Sequence, residues 1–223
     1  MTQTLEEQKP SLDPHPLSEY AAWAGHRNKE PILGVLKEKL PKESGKQVLE
    51  LASGSGLHIN YFAPHFDHLH FHPSDNDLEV FDNIKKLKSD HENDNIADPL
   101  HLDLTNPETW FKPEHAGKFD SIFCINIFQV APLTIADGMM ECAAHLLSDE
   151  GFLLVYGPFK LEGHFTTHSN KAFHDTLLST GIMEWGLKDI ADLKKAADKF
   201  GLELKEQIDM PSNNFSLIFG RKK

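Results

Sequence analysis

The sequence predicts an α/β fold: a doubly wound, mostly parallel seven-stranded sheet with an antiparallel hairpin at its C-terminal edge. Three observations predict it. Short apolar runs alternate with segments of helical spacing through most of the chain, the pattern of strands joined by crossover helices. The first run, Gln47-Val48-Leu49-Glu50-Leu51, is bounded by Gly45 and a Gly/Ser cluster, as a buried strand is. The last two runs flank Met210-Pro211-Ser212-Asn213-Asn214, a stretch fit for a short reversal.

The elements follow in order. Residues 1–18 hold three prolines and no periodicity, so residues 1–26 are expected to form an N-terminal arm that becomes ordered near Tyr20 to Trp23. Residues 27–223 make a single domain. Helical spacing follows Pro31 through Ile32, Leu33, Val35, Leu36 and Leu40, and Pro41 stops it. After the first strand come a helix over 57–62, a strand over 69–72 and a helix over 76–87. Strands over 99–102 and 119–125 follow, then a helix over 135–147 and a strand over 152–156. The helix over 189–200 ends at Gly201, a C-terminal glycine of the usual kind. Strands over 202–208 and 215–220 complete seven. Right-handed crossovers make the sheet doubly wound. The segment 157–188 is long, mixed and rich in His and Phe, and is expected to be a lid or insertion.

Composition excludes several functions. The 223 residues carry 22 Lys+Arg against 34 Asp+Glu, a net charge of -12. A non-specific phosphate-backbone binder needs a basic surface, so no nucleic-acid partner is expected. No apolar run approaches the roughly 20 residues that span a bilayer, and the polar, acidic start is no secretory or transit signal. Cys124 and Cys142 lie in apolar surroundings and are expected to be reduced, in a cytoplasmic protein. The expected partner is a small-molecule substrate, with the chain a monomer or homodimer and no membrane partner.

The stretch that carries chemistry is Glu50-Leu51-Ala52-Ser53-Gly54-Ser55-Gly56, which leaves a strand and opens a helix. Open α/β sheets bind ligands at such carboxyl ends. A dinucleotide turn wants G-x-G-x-x-G, but the third place is Ile59. No Gly-Lys-Ser/Thr follows, which excludes a P-loop. An acid at Glu50 gains nothing beside a pyrophosphate but suits a cation. Acid-x-Gly/Ala-x-Gly-x-Gly is the signature of class I methyltransferases, whose cofactor, S-adenosyl-L-methionine, carries a sulfonium and an ammonium. Glu50, Ala52, Ser53, Gly54, Gly56 and, at the helix start, His58 are thus cofactor candidates. Asp75, just past the second strand, can accept hydrogen bonds from a ribose diol. Asp103, at the end of the third, can accept the adenine amino group. Each acid alone would be a turn or cap; three on successive strands favour a nucleoside site.

The stretch Val48 to His58, with Pro73-Ser74-Asp75, Tyr156-Gly157-Pro158-Phe159, Ser169-Asn170, Met210-Pro211-Ser212-Asn213-Asn214 and Arg27-Asn28-Lys29-Glu30-Pro31-Ile32-Leu33, resembles the methyltransferase-like 26 family, also called domain of unknown function 938. The likeness runs from Arg27 to Arg221. It implies a Rossmann-like class I fold, S-adenosyl-L-methionine as cofactor and S-adenosyl-L-homocysteine as product. It implies acceptor contacts at Asn28, Lys29, His168, Ser169, Asn170, Asn213 and Asn214. The family places a His after the fourth strand, in an Asn-x-x-His context. Here that stretch is Asn126-Ile127-Phe128-Gln129.

Methyl transfer is an in-line displacement in which the protein chiefly positions the nucleophile. Asn126, Gln129 and Tyr156 stand at the fourth and fifth strand ends and are the catalytic candidates, Asn126 also serving the cofactor. Gln129 cannot accept a proton as His does. Asn126 lacks the two prolines and aromatic that amino methyltransferases of nucleic acids place after it. Fourteen histidines raise the question of a metal. His68, His70 and His72 share a strand face and His164, His168 and His174 cluster, but the cysteines lie elsewhere and no metal is expected. Two other readings stand beside a small-molecule methyltransferase: an inactive binding or scaffold protein, and, weakened by Ile59, a nicotinamide-dependent oxidoreductase.

Overall fold

A computed structural model of the chain describes residues 9–223. The expected N-terminal arm therefore lies partly outside the described residues. Its second half is helical: α1 spans Glu19–Lys39. The Ser18 hydroxyl caps it, accepting from the Ala21 N–H at 3.0 Å. Pro31, expected to precede the helix, lies inside it. A proline has no N–H for the Arg27 carbonyl, but the helix continues because Ile32, Leu33, Val35 and Leu36 bury its inner face.

The remaining elements are β1 (Gln47–Leu51), α2 (Leu57–Phe62), β2 (His70–Asp75), α3 (Phe81–Asp90), β3 (Leu100–His101), β4 (Phe119–Ile125), α4 (Ile135–Leu146), β5 (Leu147–Gly157), β6 (Lys160–Leu161), β7 (His164–Phe165), α5 (His168–Leu178), α6 (Ile190–Lys199), β8 (Leu202–Met210) and β9 (Asn214–Arg221). Among the described residues, seven strands form one sheet in the order β3-β2-β1-β4-β5-β9-β8. Strands β1 to β5 run parallel, while β9 is antiparallel to both β5 and β8. The C-terminal hairpin thus inserts its second strand beside β5 and leaves β8 at the edge. The fold is the expected Rossmann-like one. Strand order reverses between β1 and β4, where such sheets bind ligands.

Both sheet faces are buried, and the two-residue period divides the core. Leu49, Ile122, Cys124, Leu153 and Val155 face α4 and α6 in one cluster. Val48, Phe123, Ile125, Leu154 and Tyr156 face α1 and α2 in the other. Both cysteines are free and buried. Gly138 sets the approach of α4: a Cβ there would stand 1.9 Å from the Leu104 carbonyl oxygen. Strand β5 starts at Leu147, directly from α4, because Leu147 pairs with Phe119 across a bulge before the regular register begins at Phe152. Segment 157–188 is not irregular throughout. It forms the β6–β7 pair and α5, whose cap Thr167 accepts from the Asn170 N–H at 3.1 Å.

Candidate active site

A cavity of about 590 Å³ opens at the C-terminal ends of β1, β2 and β4. Its floor is the turn after β1. Ala52, Gly54 and Gly56 all take left-handed backbone angles, with φ of 53°, 53° and 78°. Two of the three are therefore glycine, and Ala52 bears the strain that a Cβ adds there. The turn is held by the Ser53 N–H, which donates to the Ser74 carbonyl at 2.8 Å. The Ser74 hydroxyl donates to the Glu50 carbonyl at 2.7 Å.

Asp75 closes β2 and ties the two strand ends together. Its Oδ2 accepts from the Gly54 N–H at 2.8 Å and its Oδ1 from the Asp77 N–H at 3.0 Å. Burial raises its carboxyl above the ordinary value, and these N–H bonds oppose the rise. Asp75 lines the cavity beside the glycine turn. Glu50 is withdrawn beneath the turn, 2% exposed, with Oε2 lacking a partner among the described residues. Desolvation raises it to about 8, with the Asp75 charge adding to the rise. A cation above the turn is what would return it to its charged form.

Beyond the floor, Asn126 follows β4 with φ 59°. Its N–H donates to the Tyr156 carbonyl at 2.9 Å, and its own carbonyl accepts from the Gln129 Nε2 at 2.8 Å. Gln129 Oε1 is buried without a donor among the described residues. Both side chains line the cavity, as do Ser169, Asn170, Asn213 and Asn214. Asn170 Nδ2 donates to the Asn213 carbonyl at 3.0 Å, fastening α5 to the β8–β9 turn. Asn214 Nδ2 closes that turn on the carbonyls of Pro211 and Ser212. Asn213 and Asn214 thus form the turn and also line the cavity.

Other candidates sit elsewhere. Strand β3 stops at His101, and Asp103 Oδ1 turns back onto the N–H and hydroxyl of Thr105 at 2.8 and 2.7 Å, away from the cavity lining. Tyr156 is 2% exposed within the α1-side core, because β5 runs one residue further and keeps its side chain in the sheet's register. Burial pushes its phenol up to about 12. His168 heads α5 but is exposed and outside the lining. Lys29 lies with its ammonium 4.3 Å from the Tyr61 ring, facing a second hollow behind α2. His58 lines the cavity, and its Nε2 donates to Asn28 Oδ1 at 2.7 Å. Burial first, then His26 and Lys29, lowers it to about 3, so the ring stays neutral.

Sequence reasoning expected a lid over 157–188 but missed what α1 and the segment before it add to the cover. Pro16 lies over Gly54, where a Cβ would meet its own Cβ at 3.2 Å. Tyr20, Trp23 and Arg27 project from α1 into the cavity, joined by Lys9 and by Phe173 of α5. The spacing of 20, 23 and 27 puts them on one helix face, a signal present in the chain. Trp23 lines the cavity; Trp185 does not.

Residues 19–221 match the family described as Protein of unknown function (DUF938). The chain belongs to this DUF938 family. Solved structures share its fold. An O-methyltransferase family protein from Burkholderia thailandensis superposes with a TM-score of 0.73 at 15% identity, over 92% of this chain and 60% of that one. An O-methyltransferase family 2 protein from Planctomyces limnophilus DSM 3776, solved in complex with apigenin, gives 0.71 at 16%, over 95% and 63%. CalO1, a methyltransferase in calicheamicin biosynthesis solved with SAH bound, gives 0.70 at 15%, over 91% and 56%. The DUF938 chain spans about three fifths of the length of these structures. At these identities the likeness establishes a methyltransferase fold. No helix among the described residues is long and apolar enough to cross a membrane.

Proposed function

We propose that this DUF938 protein is an S-adenosyl-L-methionine-dependent methyltransferase acting on a small molecule, closest in kind to the methyltransferase-like 26 group. The observation that carries this reading is Asp75. A buried carboxylate at the β2 end clamps the glycine turn and lines the cavity floor. A nucleoside diol and a backbone-hugging chain fit that arrangement, and the unpartnered Glu50 oxygen beneath the turn fits a cation above it.

In this reading the turn Ala52 to Gly56 holds the cofactor's amino-acid end and Asp75 its ribose. Asn126 stands between cofactor and acceptor, as the end of β4 requires. S-adenosyl-L-methionine supplies a methyl group on positively charged sulfur. The chain's own groups position the acceptor against it, which alone can contribute about 7–11 kcal/mol. At the ends of β4 and β5 the chain offers amides rather than a base: Gln129 and Asn126 cannot take a proton, and Tyr156 faces the core. An acceptor whose lone pair is already free at neutral pH fits these groups. Segment 157–188 and the N-terminal segment act as its cover. The protein works in the cytoplasm, as a monomer or homodimer, without nucleic acid or membrane.

Calorimetry with S-adenosyl-L-homocysteine tests this. Micromolar binding that Asp75→Ala abolishes is the expected outcome, with Asp75→Asn and a melting curve separating lost contacts from lost folding. No binding by the unaltered chain rejects the reading. Gln129, where the family has His, favours a second one: a binding protein that keeps the fold without turnover. Labelled methyl groups appearing on small molecules of a cell extract would reject that alternative.

A further inference from the structure

The cover of the cavity carries two cations that meet rings but no anion among the described residues. Arg27 and Lys9 both line the cavity, and neither makes a hydrogen bond or ion pair with a described residue. This stands out in a chain of net charge -12, whose surface carboxylates outnumber its cations. The two described acids of the lining are otherwise engaged: Asp75 on backbone N–H groups, Asp13 on the His15 N–H at 2.9 Å.

The surroundings define the shape of what these cations meet. The Arg27 guanidinium lies 4.4 Å from the Trp23 ring centre. The Lys9 ammonium lies 5.8, 5.8 and 5.9 Å from the ring centres of Tyr20, Trp23 and Phe173. Phe173 is three residues after Asn170 on α5, and Asn170 is fastened to Asn213. The cluster therefore belongs to the acceptor side of the cavity rather than to the glycine turn. It combines flat apolar walls with two cations that both lie against the Trp23 ring. Such rings can also receive a cationic guest. Here the chain's own two cations already occupy their faces, and a third positive charge would be repelled.

We propose that the acceptor enters as an organic anion, a flat and largely apolar molecule whose carboxylate is held by the Arg27 guanidinium with the Lys9 ammonium beside it. The guanidinium fork matches a carboxylate with two parallel hydrogen bonds, which an ammonium cannot. The inference rests on the methyltransferase reading, and it adds what the acceptor side recognises. Arg27 acts in specificity: it selects the charge of the acceptor.

The test uses the full-length protein, with and without S-adenosyl-L-homocysteine, titrated with indole-3-acetate, indole-3-acetamide and tryptamine. These share one ring and differ in charge. Indole-3-acetate is expected to bind about tenfold or more tightly than the amide, with the preference shrinking at high salt. Arg27→Gln removes the preference, Arg27→Lys keeps part of it, and Lys9→Gln reduces it by a smaller factor. Melting curves confirm that each variant folds. Equal affinity for acid and amide, tighter binding of tryptamine, no binding of any of the three, or a preference untouched by Arg27→Gln each overturns the proposal. Binding of S-adenosyl-L-homocysteine alone is measured first. Its failure removes the methyltransferase reading, whereas its success without a charge preference removes only this inference.

Discussion

The floor of the cavity and its cover are built by different means. The floor is backbone: the turn from Ala52 to Gly56, pinned by Ser53, Ser74 and Asp75 through short-range contacts between adjacent parallel strands. The cover is side chains drawn from α1, the segment before it, α5 and the β8–β9 turn, which are remote from one another in the chain. The floor also carries two buried carboxyls, while the cover carries rings and two cations with no ion-pair partner among the described residues. A binding element common to many reactions can be held by rigid backbone. The part that must suit one acceptor is left to side chains, which can vary without disturbing the sheet.

That contrast can be broken by substitution. The largest effect belongs beneath the floor: Gly138→Ala drives a methyl into the Leu104 carbonyl and is expected to cost about 3 kcal/mol or more, read as a lowered urea midpoint. If Gly138→Ala melts with the unaltered chain, the close seating of α4 is wrong. Next is Gly56→Ala, at φ 78° and with a Cβ only 3.0 Å from Ile84 Cγ1. It should cost about 1–3 kcal/mol and weaken S-adenosyl-L-homocysteine binding with it, because the turn itself must shift.

A smaller effect lies in pH dependence. Glu50 ionises near 8 in the fold against an ordinary 4.5. Between those values the folded chain keeps a proton the unfolded chain has lost, so this group's contribution falls as pH rises. His58 is opposite: lowered to about 3 from 6.5, it costs stability as pH falls through that window. The two slopes oppose one another where the windows overlap. Above pH 6.5 the opposing slope of His58 fades, and Glu50→Gln should flatten the remaining decline in melting curves taken up to pH 8. An unchanged slope in Glu50→Gln would show that the buried carboxyl is not what titrates. Smallest is Ser18→Ala in the cover, which removes the cap of α1 and should cost about 1 kcal/mol by urea titration. Loss of the whole fold from that change would erase the distinction between cover and floor.

Legibility followed the same division. The strands, the glycine turn and Asp75 could be read because each rests on a local rule: apolar runs, left-handed angles that favour glycine, an acid ending a strand. Asp103 and Tyr156 obeyed those rules too, but neighbours overrode them. Thr105 satisfied Asp103 locally, and one further residue of β5 kept Tyr156 in the core. Arg27 was visible as part of a motif but not as a lining residue, since Pro31 reads as a helix start and hides the turns before it.

By itself the amino-acid order determined the doubly wound sheet, its antiparallel C-terminal hairpin and the strained turn after the first strand, because these depend on periodicity and on steric limits within a few residues. Tertiary structure alone decided that α1 and the segment before it bring Tyr20, Trp23, Arg27 and Lys9 into the space above that turn. Such placement depends on how α1, α5 and the last hairpin pack across the sheet's end, and packing over long separations leaves no local pattern to read.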